Sequence, residues 1–215
     1  MAIAMTFVLS AGEIDLSVGA VAGLATVTVA MAIAIAGPIA GVFAGLATGL
    51  VVGMFNGWLT TRVGIPSFLT TLAMMGIAKG AAMWISDTAA VPILNQSYAW
   101  IFGGGSIGRI PVLLFWVLIL GAIGHFALRR TGFGRRVLAT GGGETAARYS
   151  GIDTARIKFR VLVLSSTAAA LAGMLYAGRL QSGRFQLGEG DELSVIAAAV
   201  LGGTSLFGGK GTVIG

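Results

Sequence analysis

The sequence predicts an all-α fold, a membrane-spanning bundle of about five to seven helices or partial helices. Three observations lead to this fold class. Apolar residues make up 56% of the 215 residues and charged residues only 10%, whereas soluble domains carry roughly 25% charged residues. Long stretches have no charged residue, and glycine occupies 35 positions. A soluble fold of this length could not bury so much apolar surface, which excludes a soluble enzyme and a disordered chain.

The first long charge-free stretch covers residues 16–61. A helix needs roughly 20 apolar residues to cross the hydrocarbon, so this stretch is long enough for two crossings. Gly37 and Pro38 lie near its middle, and we predict helices at 16–36 and 38–59 with a turn between them. Residues 1–9 are apolar but too short to cross. A cleavable signal peptide is disfavoured there because no basic residue precedes the apolar run.

Later apolar stretches predict further crossings at residues 68–85, 111–128 and 161–180, and a partial or re-entrant segment at 193–206.

Positive charge is concentrated in one loop. Eight basic and two acidic residues lie between Arg129 and Arg160, so this stretch carries the whole net charge of +6. Positive loops favour the cytoplasmic side of a membrane, which places loop 129–160 inside and the acidic stretch 189–192 outside. A basic chain can also bind nucleic acid, but in so apolar a chain a cytoplasmic loop is the preferred interpretation, and no nucleic-acid partner is expected.

One predicted helix carries glycine at every fourth position. Residues four apart lie in one row on a helix, so this pattern forms a groove that another backbone can approach closely. We therefore expect tight helix packing, within the bundle or across a dimer, along Gly37, Gly41, Gly45, Gly49, Gly53 and Gly57.

The sequence contains no convincing catalytic or metal-binding set. The glycine-rich stretch 103–108 lacks the strand and helix that a dinucleotide site needs, and residues 208–212 depart twice from the phosphate-loop pattern. His125 is the only histidine and cysteine is absent, so neither a metal site nor a cofactor is predicted. We do not expect the chain to be an enzyme.

Two polar motifs carry more information. The first is the stretch 12–19, where Asp15 is well placed to cap the helix that follows. A polar group beside a transport path is the alternative interpretation of this residue.

The second motif covers residues 141–153. Glu144 opens a short helix, Gly151 can end it in a left-handed conformation, and Asp153 or Thr154 can cap the next helix. These features predict a short helix that lies across the cytoplasmic face. Such a helix either docks into a soluble partner or belongs to a solvated loop that only sets the topology.

With three further stretches, these motifs resemble the permease subunits of ribose-type ABC importers. The further stretches are Asn56-Gly57, 65–72 and 188–211. The matches keep their order along almost the whole chain, while Glu13, Gly143 and Asp191 stand where the family usually has Gly, Asn and Tyr. The family's N-terminal helix and later spans are missing, so residues 1–215 are expected to form a single, incomplete permease domain.

The resemblance implies a subunit that moves a monosaccharide of the ribose, xylose or galactose class across the bacterial inner membrane by alternating access. ATP would be hydrolysed in a partner, the ATP-binding subunit. A second permease copy, an extracytoplasmic solute-binding protein and membrane lipid are the other expected partners. The family's coupling motif corresponds to Glu144, Thr145, Ala146, Ala147, Arg148, Ser150 and Gly151.

Polar groups within spans are costly in lipid and therefore favour protein or water as neighbours. This makes Asp15, Ser17, Asn56 and Thr70 candidates for the translocation path, with structural roles equally open. Two alternatives remain at the level of the sequence. One is an ion-coupled secondary transporter, which requires ionisable residues within spans, where this chain has mainly Lys79. The other is a membrane scaffold that transports nothing.

Overall fold

The computed structural model describes residues 1–215. Its helices are, in chain order, α1 (Ala2–Ser10), α2 (Val18–Trp58), α3 (Ser67–Ile85), α4 (Gln96–Ala99), α5 (Val112–Arg130), α6 (Gly132–Gly142), α7 (Glu144–Tyr149), α8 (Thr154–Leu180) and α9 (Asp191–Leu201). Single π-helical turns follow α2 at Leu59–Val63 and α4 at Trp100–Gly104. Two antiparallel pairs of very short strands join β1 (Val91–Pro92) to β4 (Ser182–Gly183) and β2 (Ser106–Ile107) to β3 (Ile110–Pro111).

The predicted all-α membrane fold is confirmed. Four helical segments are long and apolar enough to cross a bilayer, namely residues 18–63 together with α3, α5 and α8. Most of the outer helix α5 is exposed, whereas α8 is largely buried because it packs along α2 over much of its length. The short helix α1 packs between α8 and α9, and residues of α1 and α9 complete the apolar core.

Helix α2 is a hairpin of two crossings. A straight helix of its 41 residues would extend about 62 Å, roughly twice the thickness of the hydrocarbon. The backbone breaks at Gly37, where φ is 84° and ψ is −179°, and Pro38 starts the second half. The halves then run antiparallel, with the hydroxyl oxygens of Thr28 and Thr48 2.9 Å apart. The turn predicted at Gly37-Pro38 is therefore present.

The row of glycines on the second half of α2 faces α8. A Cβ atom added to Gly49 would lie 2.7 Å from the carbonyl oxygen of Ser166, and one added to Gly53 would lie 2.7 Å from the Cα atom of Val163. Gly57 meets Phe159 on α8, Gly45 meets both Val29 and Met174, and Gly41 meets Ile33 in the first half of the hairpin. Gly37 has no such neighbour and serves the turn instead. These contacts lie within one chain.

We call the turn at Gly37 the hairpin end of the bundle, and the region of α6, α7 and the start of α8 the α7 end. Residues 183–190 start beside Thr26 and descend along the first half of α2 to Gly19. The acidic stretch 189–192 therefore packs beside the beginning of α2. This differs from the external loop predicted from the sequence, because the small residues of α2 open a groove that the returning backbone fills.

Candidate functional site

The α7 end is built by local signals in the stretch 141–153. Helix α7 spans Glu144–Tyr149, and Gly151 follows it with a left-handed φ of 80°. The side chain of Asp153 then accepts a hydrogen bond of 2.9 Å from the N–H group of Arg156, which caps α8. The sequence predicted both features, since glycine favours this conformation and aspartate favours the cap position.

Helix α7 presents most of its residues outward. Ala147 is buried, with 4% of its surface exposed, and anchors the helix to the bundle. The other residues of the predicted coupling segment are exposed or half-exposed: Glu144, Thr145, Ala146, Arg148, Ser150 and Gly151. Tyr149 lies among them and is 89% exposed. Sequence reasoning did not single out this tyrosine, although an aromatic residue in a basic stretch was the available signal.

Lys158 connects α7 to the bundle through two ion pairs. Its ammonium group lies 2.8 Å from Oε2 of Glu144 on α7 and 2.7 Å from Oε1 of Glu13, in the loop before α2. The Lys158 side chain is 21% exposed and that of Glu13 only 9%. We call Glu13, Glu144 and Lys158 the ionic bridge.

Neighbouring groups hold the Glu144 end of this bridge in place. Thr154 donates a hydrogen bond of 3.2 Å to Oε1 of Glu144, and Arg148 pairs with the same oxygen. Nε of Arg148 also donates to the Thr154 hydroxyl at 2.9 Å. The hydrogen bond from Lys158 lowers the pKa of Glu144, with partial burial opposing and the charges of Lys158 and Arg148 adding to the effect. The carboxylate is thus stabilised in its charged form.

The loop 11–17, which carries Glu13, is itself tied to α3. The hydroxyl of Ser67 accepts a hydrogen bond of 3.1 Å from the N–H group of Ile14. The hydroxyl of Thr71 accepts one of 3.0 Å from the N–H group of Leu16. The ionic bridge thus connects α7 to the loop before α2, and this loop is in turn hydrogen-bonded to α3.

Three of the four residues predicted for the translocation path form one buried cluster. Oδ1 of Asp15 accepts hydrogen bonds from the N–H group and the hydroxyl of Ser17, at 2.9 and 2.6 Å. Nδ2 of Asn56 donates to the Ser17 hydroxyl at 3.2 Å. Asp15, Ser17 and Asn56 are 0% exposed, and Thr70 lies apart on α3 with 3% exposed. This cluster joins the two ends of the α2 hairpin.

The cap of α2 differs from the prediction. Ser17, and not Asp15, occupies the position before the first helical residue, and its side chain makes no capping hydrogen bond to the helix. Asp15 lies two residues before Ser17, and its carboxylate accepts hydrogen bonds from the N–H group and the hydroxyl of that residue.

Comparisons with known proteins establish the family. The whole chain, residues 1–215, matches the family described as "Branched-chain amino acid transport system / permease component". The chain belongs to this permease family. Relatives that are named as sugar permeases confirm the resemblance found in the sequence motifs.

Relatives of known name are transport permeases. The ribose import permease protein of Bacillus subtilis (strain 168) is 41% identical over 217 residues, covering 100% of this chain and 67% of the relative. The L-arabinose transport system permease protein of Escherichia coli (strain K12) is 39% identical, covering 99% and 65%. The ribose import permease protein of the same strain is 37% identical, covering 100% and 68%. The chain spans about two thirds of the length of these relatives. No solved structure matches it.

Family membership bears on the earlier alternatives. The two ribose relatives are named as import permeases and the arabinose relative as a transport-system permease. These names agree with an importer permease and give no support to the ion-coupled transporter or the scaffold. They describe a component of a transport system.

Proposed function

We propose that the chain is the membrane-spanning permease subunit of an ABC importer for monosaccharides of the ribose and arabinose class. Its likeness to the ribose and L-arabinose permeases over the whole chain supports this substrate class. In this proposal ATP is hydrolysed in a partner subunit, and a second permease copy completes the path through the bilayer. An extracytoplasmic solute-binding protein delivers the sugar.

The orientation of the chain follows from its charge. Loop 129–160 holds the whole net positive charge, and positive loops favour the cytoplasm. We therefore place the α7 end on the cytoplasmic side of the bacterial inner membrane and the hairpin end outside. This puts the exposed face of α7 where a cytoplasmic ATPase can reach it.

The observation that carries the coupling role is the ionic bridge. Helix α7 exposes Tyr149 on one side, and through Glu144 it is tied by Lys158 to α8 and to Glu13. A rigid-body movement of α7 is thus transmitted to two membrane segments at once. A loop that only sets topology would need no ion pairs to α8 and to the loop before α2, because charge alone determines orientation.

Co-purification and uptake test the proposal together. The tagged chain is expressed with the ATP-binding subunit and the solute-binding protein of the same importer, and uptake of labelled D-ribose and L-arabinose is measured. Glu144→Lys places a like charge beside Lys158 and Arg148 and should abolish retention of the ATP-binding subunit. Asp87→Lys makes the same charge reversal at the hairpin end, where Asp87 is exposed, and should retain it.

Two results would contradict the proposal. If the wild-type chain never retains the ATP-binding subunit in membranes, the coupling role of α7 is wrong. If uptake of every sugar persists after the ATP-binding subunit is deleted, transport does not depend on ATP hydrolysis in that partner.

A further inference from the structure

Helix α3 carries a charged residue within a candidate membrane span. Lys79 lies 12 positions after Ser67 in a helix of 19 residues, so it is roughly 18 Å from the α7 end of that helix. Its ammonium group pairs with Oε1 of Glu189 at 2.6 Å. The two side chains are 42% and 57% exposed. Exposed charge at this depth is costly in hydrocarbon, so this surface must face water or protein.

A cavity of about 150 Å³ lies beside this ion pair. Helix α2 contributes Ala20 to it and α3 contributes Met75, Gly76 and Lys79. The returning stretch 183–190 contributes Phe185, Glu189 and Gly190, and α9 contributes Glu192. Five of these eight residues are charged or glycine. Lys79, Glu189 and Glu192 are the charged members, so the cavity brings three charged side chains to a mostly apolar lining.

The backbone of the returning stretch is held in place against α2. A Cβ atom on Gly23 would lie 2.6 Å from the carbonyl oxygen of Phe185, so only glycine permits this approach. Gly188 contacts the backbone of Gly19 in the same way. Asp191 points elsewhere, because Oδ2 accepts a hydrogen bond of 2.7 Å from Tyr176 on α8. Glu189 and Glu192 are the acidic groups that remain on the cavity.

We propose that this cavity lines the path of the transported solute and that its charged groups bind a neutral polyhydroxylated molecule. The inference rests on the proposed function and assigns a surface to it. Carboxylate oxygens of Glu189 and Glu192 accept hydrogen bonds from solute hydroxyl groups, and the ammonium group of Lys79 donates them. Hydrogen bonds to charged groups are roughly twice as strong as neutral ones, so they can replace water around hydroxyl groups.

This proposal places the solute path beside Lys79 and Glu189, and not at the residues that the sequence predicted for it. Asp15 and Asn56 are each hydrogen-bonded to Ser17, and all three residues are completely buried, so they expose no group to a solute. Lys79 and Glu189 are instead partly exposed beside a hollow.

Water access at this position can be measured directly, because the chain contains no cysteine. The variant Gly76→Cys adds a thiol where a Cβ atom meets nothing within 4 Å. Ile77→Cys is the matched control. Ile77 is 58% exposed but lies roughly 200° around the helix from Lys79, on the side that we expect to face lipid. Both variants are expressed with the partner subunits and treated in membranes with a charged, membrane-impermeant methanethiosulfonate.

We expect Gly76→Cys to be modified at least tenfold faster than Ile77→Cys, and D-ribose or L-arabinose to slow that modification. Equal rates at the two positions would overturn the proposal. Efficient disulfide formation between two copies of Gly76→Cys would also overturn it, because the hollow would then be a contact between copies. Labelling is measured without transport, so it reports on the cavity even where uptake fails.

Uptake provides a second test. Glu192→Gln removes one charge without breaking the Lys79–Glu189 pair, and should lower sugar uptake at least tenfold while the chain still retains the ATP-binding subunit. Lys79→Met should have the same effect. Unchanged uptake in Glu192→Gln, at wild-type levels of protein in the membrane, would contradict the assignment even if Lys79→Met fails to accumulate.

Discussion

Replacing Lys158 with methionine is the sharpest perturbation of the ionic bridge. The variant Lys158→Met keeps a long apolar side chain but removes the charge between two carboxylates at 2.7 and 2.8 Å. The side chain of Glu13 is only 9% exposed, so its carboxylate is left nearly buried and without its partner. Breaking a buried pair in this way costs about 3–5 kcal/mol.

The stability loss expected for Lys158→Met is smaller than the about 3–5 kcal/mol of a fully buried pair. The Lys158 side chain is 21% exposed and that of Glu144 is 36% exposed, so water screens part of the interaction. We therefore expect Lys158→Met to lower the free energy of unfolding by about 2–3 kcal/mol. The double variant Glu13→Gln/Lys158→Met removes the unpaired carboxylate as well, and should recover about half of this loss.

A neighbouring ion pair provides the control. Arg156 also lies on α8 and pairs with Asp153 at 3.5 Å, but the two side chains are 68% and 58% exposed. Exposed pairs contribute about 0–1 kcal/mol, so Arg156→Met should have little effect. Unfolding of the four purified proteins in one detergent, followed by circular dichroism against denaturant, gives the comparison. Equal stabilities of Lys158→Met and Arg156→Met would refute the view that the bridge ties α7 to the bundle.

Glycine packing, the acidity of Glu144 and the Asp15 hydrogen bonds lead to further predictions. Gly53→Ala should lower the free energy of unfolding by about 1–3 kcal/mol, because its Cβ atom would collide with the α8 backbone. Gly76→Ala is the control, since its Cβ atom would lie in open space and the change should be neutral or slightly stabilising. Equal melting temperatures of the two variants would contradict the packing of α2 against α8. The pKa of Glu144 is lowered on folding, so its contribution is fully present above the ordinary value of 4.5 and is lost as the pH falls through the folded value. Glu144→Gln should accordingly melt with a weaker pH dependence below about pH 4.5 than the wild type, and identical profiles would argue against this. Asp15→Ala removes the acceptor of both Ser17 hydrogen bonds and should cost about 1–3 kcal/mol in the same detergent melt, with a loss below 0.5 kcal/mol counting against the cluster.

The membrane crossings were predictable because they depend on local composition. Stretches without charge mark the spans, and Gly37-Pro38 marks the turn of the hairpin, since glycine allows a positive φ and proline begins a new helix. The glycine spacing in α2 indicated close packing. It could not identify α8 as the helix that lies against it, because many helices can fill such a groove.

The ionic bridge was not predictable in the same way. Glu13 and Lys158 are far apart in the chain, and only the packing of α2 against α8 brings them together. The re-entrant path of residues 183–190 was also missed. The orientation set by the basic loop 129–160 predicted that the stretch 189–192 lies outside, while the small residues Gly19 and Gly23 that receive the returning backbone lie in another part of the sequence.

The central claim is that α7 contacts an ATP-binding subunit. Tyr149→Cys places the only thiol of the chain at a position of that helix that is 89% exposed, and Ala90→Cys places one at the exposed hairpin end. Each variant is assembled with its partner subunits in membranes and treated with a short crosslinker that joins thiols to amines. The account predicts a crosslink to the ATP-binding subunit from Tyr149→Cys and none from Ala90→Cys. A crosslink from neither position, or from Ala90→Cys alone, would contradict it.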